Sequence, residues 1–147
     1  MMRMVAGIIL GYVVMAVLVF VLFSIAYLAM GSGGAFEPGS YDVSPLWIVA
    51  SMVLGLIAAF VGGRVCAQFS QNPKAPYALV AVVLVLGIGM AVPALNTPNH
   101  TQSLIREGDV GNIEAMQSAK QPTWLSFVNP VIGAVGVLLG ARFKRAS

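Results

Sequence analysis

Charge is the scarcest thing in this chain. Only 9% of its 147 residues are Asp, Glu, Lys or Arg, against about 25% in an ordinary globular domain. That shortage excludes a surface solvated all round by water, so lipid must cover much of the molecule. Cysteine is nearly absent as well. Cys66 stands alone, which excludes an internal disulfide and any paired-cysteine redox centre. A single histidine, His100, leaves no usual zinc ligand set. The formal net charge of +3 is small and scattered, which argues against a nucleic-acid partner.

What the chain has instead is apolar length. Hydrophobic residues make up 59% of it and gather in four runs, 5–30, 46–65, 77–95 and 124–141. Each approaches or exceeds the roughly 20 residues needed to cross about 30 Å of hydrocarbon. None carries a charge in its interior. The first run is too long for the apolar core of a secretory signal, usually about 7–15 residues, and reads as a retained anchor.

The basic residues orient the spans. Arg3, Arg64, Lys74, Arg142, Lys144 and Arg145 fall at one end of them, whereas Glu37, Asp42, Glu107, Asp109 and Glu114 all fall at the other with Arg106 and Lys120. The positive-inside rule then predicts cytoplasmic N- and C-termini. Trp47 and Trp124 are expected at the outer interface and Arg64 and Arg142 at the inner one, as anchors.

The connections carry their own signals. The outer loop 31–44 is glycine-rich and ends in Ser44-Pro45, a hydroxyl cap before a proline at the first helical position. The inner loop 66–76 holds Asn72-Pro73 and Pro76, which mark a turn and a helix start. Outer loop 96–122 is the longest extramembrane piece. Within it Asp109 is predicted to cap a short helix reaching about Ala119, with Val110, Ile113 and Met116 on its covered side.

An internal repeat is visible. Pro45-x-Trp47 recurs as Pro122-x-Trp124 at an offset of 77, and Gly55, Ala58, Gly62 and Arg64 recur as Gly133, Gly136, Gly140 and Arg142 at an offset of 78. Two copies of a helical hairpin, parallel in the membrane, are the expected origin. In lipid, helices associate by close packing and hydrogen bonding, which small side chains permit. Ser126, Asn129, Gly133, Gly136 and Gly140 form a three-four seam on the last span; Ile48, Ser51, Gly55, Ala58 and Gly62 form its counterpart. The second and fourth spans are therefore expected to pair at the centre, with Gly7-x-x-x-Gly11 on the first span at the depth of Gly62 and Gly63. Asn129 precedes Pro130, whose missing N–H frees the Ser126 carbonyl. Its repeat counterpart is Ser51, and a hydrogen bond between the two is predicted.

No catalytic residue, cofactor site or metal site is predicted. His100, Arg106, Glu107, Asp109 and Glu114 combine acid, base and cation, but no nucleophile motif accompanies them. Asn99-His100-Thr101 matches a glycosylation sequon close to the membrane.

Several four-span families differ from this chain by residue. Small multidrug transporters carry a carboxylate in the first span, vitamin K epoxide reductase-type thiol oxidoreductases need paired cysteines, and tetraspanins have cysteines in a large loop. All are missing here. Fluoride channels match in size but not in their asparagine and phenylalanine pattern. The stretches GSYDVSPLW and GVLLGARFKR resemble small uncharacterised four-helix bacterial inner-membrane proteins, which implies an inner-membrane location and brings no activity.

The reading is an all-α membrane protein with one four-span domain over 1–147 and two parallel-repeated hairpins in a left-handed bundle. A non-catalytic accessory or self-assembling membrane subunit is the expected function. Its partners are the lipid bilayer and either further copies or another membrane protein. The competing reading is a small-solute channel or transporter with its path near Asn129; an enzyme using the outer loop comes third.

Overall fold

A computed structural model of the chain describes residues 1–96 and 105–145. It contains α1 (Met2–Ala35), α2 (Pro45–Ser70), α3 (Ala75–Asn96), α4 (Asn112–Ser118) and α5 (Thr123–Arg145). Among the described residues only two isolated bridges have β geometry, Phe36 with Val43 and Asp42 with Lys120. Four helices (α1, α2, α3 and α5) are long and apolar enough to cross a membrane. The fold is therefore all-helical with four candidate spans.

The helices outrun the apolar runs that announce them. Loop 31–44 begins instead as a further helical turn, because the chain kinks at Gly31 (φ 67°) and resumes to Ala35. Phe36 N–H donating to the Ser32 carbonyl (3.0 Å) and Ser44 Oγ donating to the Gly34 carbonyl (2.5 Å) hold that turn. At the other end α2 continues to Ser70, and the connection expected over 66–76 shrinks to 71–74. Gln71 adopts the left-handed region (φ 50°), and Asn72 Oδ1 accepts from the Lys74 N–H at 2.9 Å to close the turn. Ser44 caps α2 as its sequence predicts, its Oγ accepting from the Trp47 N–H at 3.1 Å with Pro45 in the first turn.

Packing follows the order α1–α2–α5–α3. The α1/α2, α2/α5 and α3/α5 pairs share long interfaces, α3 touches α1 and α2 briefly, and α1 does not meet α5. Glycines set the approach near the end that carries both termini. A Cβ on Gly7 would lie 2.7 Å from Ser70 Cβ, one on Gly11 2.7 Å from Cys66 Cβ, and one on Gly62 2.7 Å from the Gly11 carbonyl oxygen. A Cβ on Gly63 would strike the Val137 backbone, and one on Gly140 the Phe60 carbonyl. Where lipid offers no hydrophobic drive, such backbone contact supplies the dispersion that holds helices together. Leu79, Cys66, Ala75 and Val137 are fully buried beside it.

The opposite end is built differently. Tyr27, Ala35, Phe36, Tyr41, Val43 and Ala115 form a separate buried cluster, with Trp47, Ile48, Val110 and Ala119 against it. At 1.5 Å per residue, α1 is about 51 Å long against about 30 Å of hydrocarbon. Its last turns therefore have length to spare for this cap, a folded piece larger than the loops alone suggest.

Candidate functional site

The cap draws together the two loops at the end away from the termini. Val43 N–H donates to the Lys120 carbonyl (3.1 Å) and Lys120 N–H to the Tyr41 carbonyl (2.8 Å). Tyr27 Oη donates to the Val110 carbonyl (2.6 Å), Asn112 Nδ2 to Ser24 Oγ (2.9 Å), and Tyr41 Oη to Glu114 Oε1 (2.8 Å). That carboxylate bond holds the Tyr41 phenol above its ordinary pKa, with desolvation adding to the effect.

The short helix differs from the prediction. α4 starts at Asn112, with Gly111 as its N-cap. Asp109 instead accepts a hydrogen bond from Ser32 Oγ. Its covered residue is Ala115, 3% exposed, while Ile113 (68%) and Met116 (48%) face outward. Only a small side chain fits where α4 lies on the Tyr27–Phe36–Tyr41 aromatics. Trp47 also departs from a pure interface anchor: it is half-buried, with its ring edge-on to Phe23 (5.9 Å) and Tyr27 (6.3 Å). Trp124 is exposed, as are Arg64 and Arg142 at the other end.

The charged residues of these loops serve this architecture. The Arg106 guanidinium lies 5.8 Å from the Phe36 ring centroid and donates to the Ser40 carbonyl (3.2 Å) and the Gly108 carbonyl (2.8 Å). Asp109 and Glu114 are engaged as described, and Glu107 is exposed. His100 and the Asn99-His100-Thr101 sequon lie outside the described residues. Among the described residues no three His, Cys, Asp or Glu side chains gather as a metal site would require.

The site of most interest is a groove of about 410 Å³ in the membrane-spanning part. Its walls are Tyr12 and Met15 of α1, Val83, Leu86, Gly87, Met90 and Ala91 of α3, and Ser126, Asn129 and Pro130 of α5, with Gln121 just before α5. Gly87 makes it possible: the Pro130 ring sits where a Cβ would be, so α3 leans on α5 rather than on α1. Below the groove Leu79, buried and 3.2 Å from the Cβ position of Gly11, closes the space between α1 and α3. Asn129 is exposed into the groove. It lies six residues inside the start of α5, about 9 Å along the helix.

The predicted Ser51–Asn129 hydrogen bond does not form. Ser51 is buried and donates within its own helix to the Ile48 carbonyl at 2.8 Å. The predicted seam on α2 is also displaced. Gly136 faces Ala59, whose Cβ is 2.7 Å from the added Cβ position, Gly140 meets Phe60, and Gly63 meets Val137. Gly62 turns to α1, Gly133 faces Val83 of α3 at 3.0 Å, and Gly55 faces open space. Ala58 is fully buried, and Ser126 lines the groove with Asn129. Sequence reasoning missed Gly87, whose signal was a glycine opposite a span containing Pro130.

These features define a multi-pass membrane protein with four candidate spans, a cap at the end away from the termini, and a lateral groove that is closed at the end carrying the termini. No protein-family model, curated protein sequence or solved structure matches the chain.

Proposed function

We propose that the protein is a non-catalytic accessory subunit of a membrane assembly, and that the groove between α1, α3 and α5 receives a transmembrane helix of its partner. The supporting observation is Asn129: a carboxamide within a candidate membrane span, exposed into a groove. In hydrocarbon such a group needs a hydrogen-bonding partner. Pro130 leaves the Ser126 carbonyl in the same condition about five-sixths of a turn away. A helix bringing one polar side chain to this depth would satisfy both. The apolar walls of Met15, Val83, Leu86 and Met90 would supply the dispersion contact.

A solute path fits less well. Leu79 and the Gly11–Gly62–Cys66 contacts fill the bundle below the groove, and the spans carry no interior charge to couple transport to an ion.

Photo-crosslinking in native membranes tests the reading. A crosslinker at Asn129 is expected to trap one discrete protein, while the same group at the exposed Val131 or Val17 traps lipid alone. A doubled mass would identify the occupant as a second copy, so that the subunit self-assembles. Lipid adducts alone at all three positions would overturn the proposal. So would solute flux in vesicles that disappears with Asn129→Leu.

A further inference from the structure

A second cavity, of about 420 Å³, opens at the end of the bundle carrying the termini. Its wall is mixed. Leu138 and Ala141 of α5 are apolar; Arg142 of α5, Gln71 and Asn72 of the 71–74 turn, and Tyr77 of α3 are polar. The volume falls within the range of about 300–1,000 Å³ usual for small-ligand sites. Its depth is set by the helices around it: α2 ends at Ser70, α3 begins at Ala75, and the α5 span ends at Phe143. The cavity therefore straddles the boundary between hydrocarbon and headgroups.

From this geometry we infer that the cavity is a binding site for the phosphate-bearing headgroup of an anionic glycerophospholipid. Three observations support that occupant. The charge is complementary: all of Arg3, Arg64, Lys74, Arg142, Lys144 and Arg145 belong to this end and no acidic residue does. A guanidinium matches phosphate with paired donors, and Arg142 supplies one on the cavity wall. Asn72 engages its Oδ1 with the Lys74 N–H, so its amide can offer an acceptor-rich headgroup its NH2. The order of the wall also fits a lipid. Leu138 lies one helical turn deeper in the span than Arg142, where an acyl chain would begin, and Tyr77 has the amphipathic ring typical of that boundary. The site is distinct from the Asn129 groove and does not depend on it.

Native mass spectrometry of the detergent-purified protein, titrated with equal amounts of phosphatidylglycerol and phosphatidylcholine, tests the inference. The wild type should retain phosphatidylglycerol about fivefold over phosphatidylcholine, the order expected of one basic residue near anionic lipid. Arg142→Gln should bring the ratio near one. Arg64→Gln, which removes the same charge at the same end but outside the cavity, should leave the preference intact. Leu138→Trp keeps every charge while filling the space, and should abolish retention without lowering the melting temperature. Equal losses from Arg64→Gln and Arg142→Gln would reduce the preference to diffuse surface attraction and overturn the site. Displacement of phosphatidylglycerol by millimolar glycerol 3-phosphate would assign the cavity to a soluble organic phosphate and overturn the lipid as its occupant.

Discussion

At the end of the bundle holding both termini, helices meet backbone to backbone: Gly7 on Ser70, Gly11 on Gly62 and Cys66, Gly63 on Val137, Gly140 on Phe60. At the other end few such contacts exist. Aromatic edges, side-chain hydrogen bonds from Ser32, Tyr27, Tyr41, Asn112 and Arg106, and two short backbone pairings hold the cap together. Solvent explains the difference. Within hydrocarbon, side-chain burial gains nothing over lipid, and close approach must do the holding. Beyond it, water restores the hydrophobic effect, and a small aromatic core becomes worth forming. The groove at Asn129 lies between the two regimes, where α3 follows α5 through Gly87 and leaves α1.

The glycine contacts offer the largest effect. Gly140→Leu would drive a side chain into the Phe60 backbone and should cost more than about 3 kcal/mol, beyond ordinary overpacking. Gly55→Leu points into open space and should stay within about 0.5 kcal/mol. Thermal melting in detergent reads both. Similar losses at the two positions would mean that close approach at Gly140 does not govern the stability of this end, since leucine is the better helix former at both.

A smaller effect belongs to the cap. Tyr27→Phe removes the bond to the Val110 carbonyl and should cost about 1 kcal/mol. Because the Trp47 ring rests on Tyr27, its fluorescence should report loosening of the cap before the spans unfold. An unchanged Trp47 signal through the first unfolding step would place the cap and bundle in one cooperative unit.

The pH dependence of the cap is narrower still. The Glu114 carboxylate raises the Tyr41 pKa above its ordinary 10.0. The unfolded phenol thus loses its proton first, so the bond's contribution is complete below about pH 10 and is lost as pH rises through the higher folded value. The wild-type cap should loosen only in that alkaline window. Tyr41→Phe should start looser and change less there; an equal alkaline change in both would assign the transition to another group.

What was legible in the sequence follows the same division. Four apolar runs announce the spans because hydrocarbon admits few alternatives, and Ser44-Pro45 marks the start of α2 by a local rule. The face of α2 was not legible. Gly62 and Gly63 are adjacent, equally small and about 100° apart around the helix; only the assembled bundle shows that Gly63 meets α5 while Gly62 meets α1. The cap was hidden for another reason. Its pairings join residues 24–44 to 106–120, and glycine-rich polar loops carry no periodicity from which such contacts can be read.

The smallest prediction bears on Asn129. Ser51 Oγ donates to the Ile48 carbonyl three residues back, a bond within one helix that adds little to its existing hydrogen bonding. Ser51→Ala should therefore be nearly silent, within about 0.5 kcal/mol. In the isolated protein Asn129→Ala should be silent too, because the amide faces the groove rather than a neighbouring side chain. The double variant should equal the sum of the singles, as expected of sites sharing no partner. In native membranes the outcomes should diverge: Asn129→Ala should lower recovery of the crosslinked complex, while Ser51→Ala leaves it unchanged. Coupling above about 0.5 kcal/mol in detergent would put Asn129 back inside the bundle as an interhelical bond, and the groove would lose the Asn129 carboxamide as a contact for a partner helix.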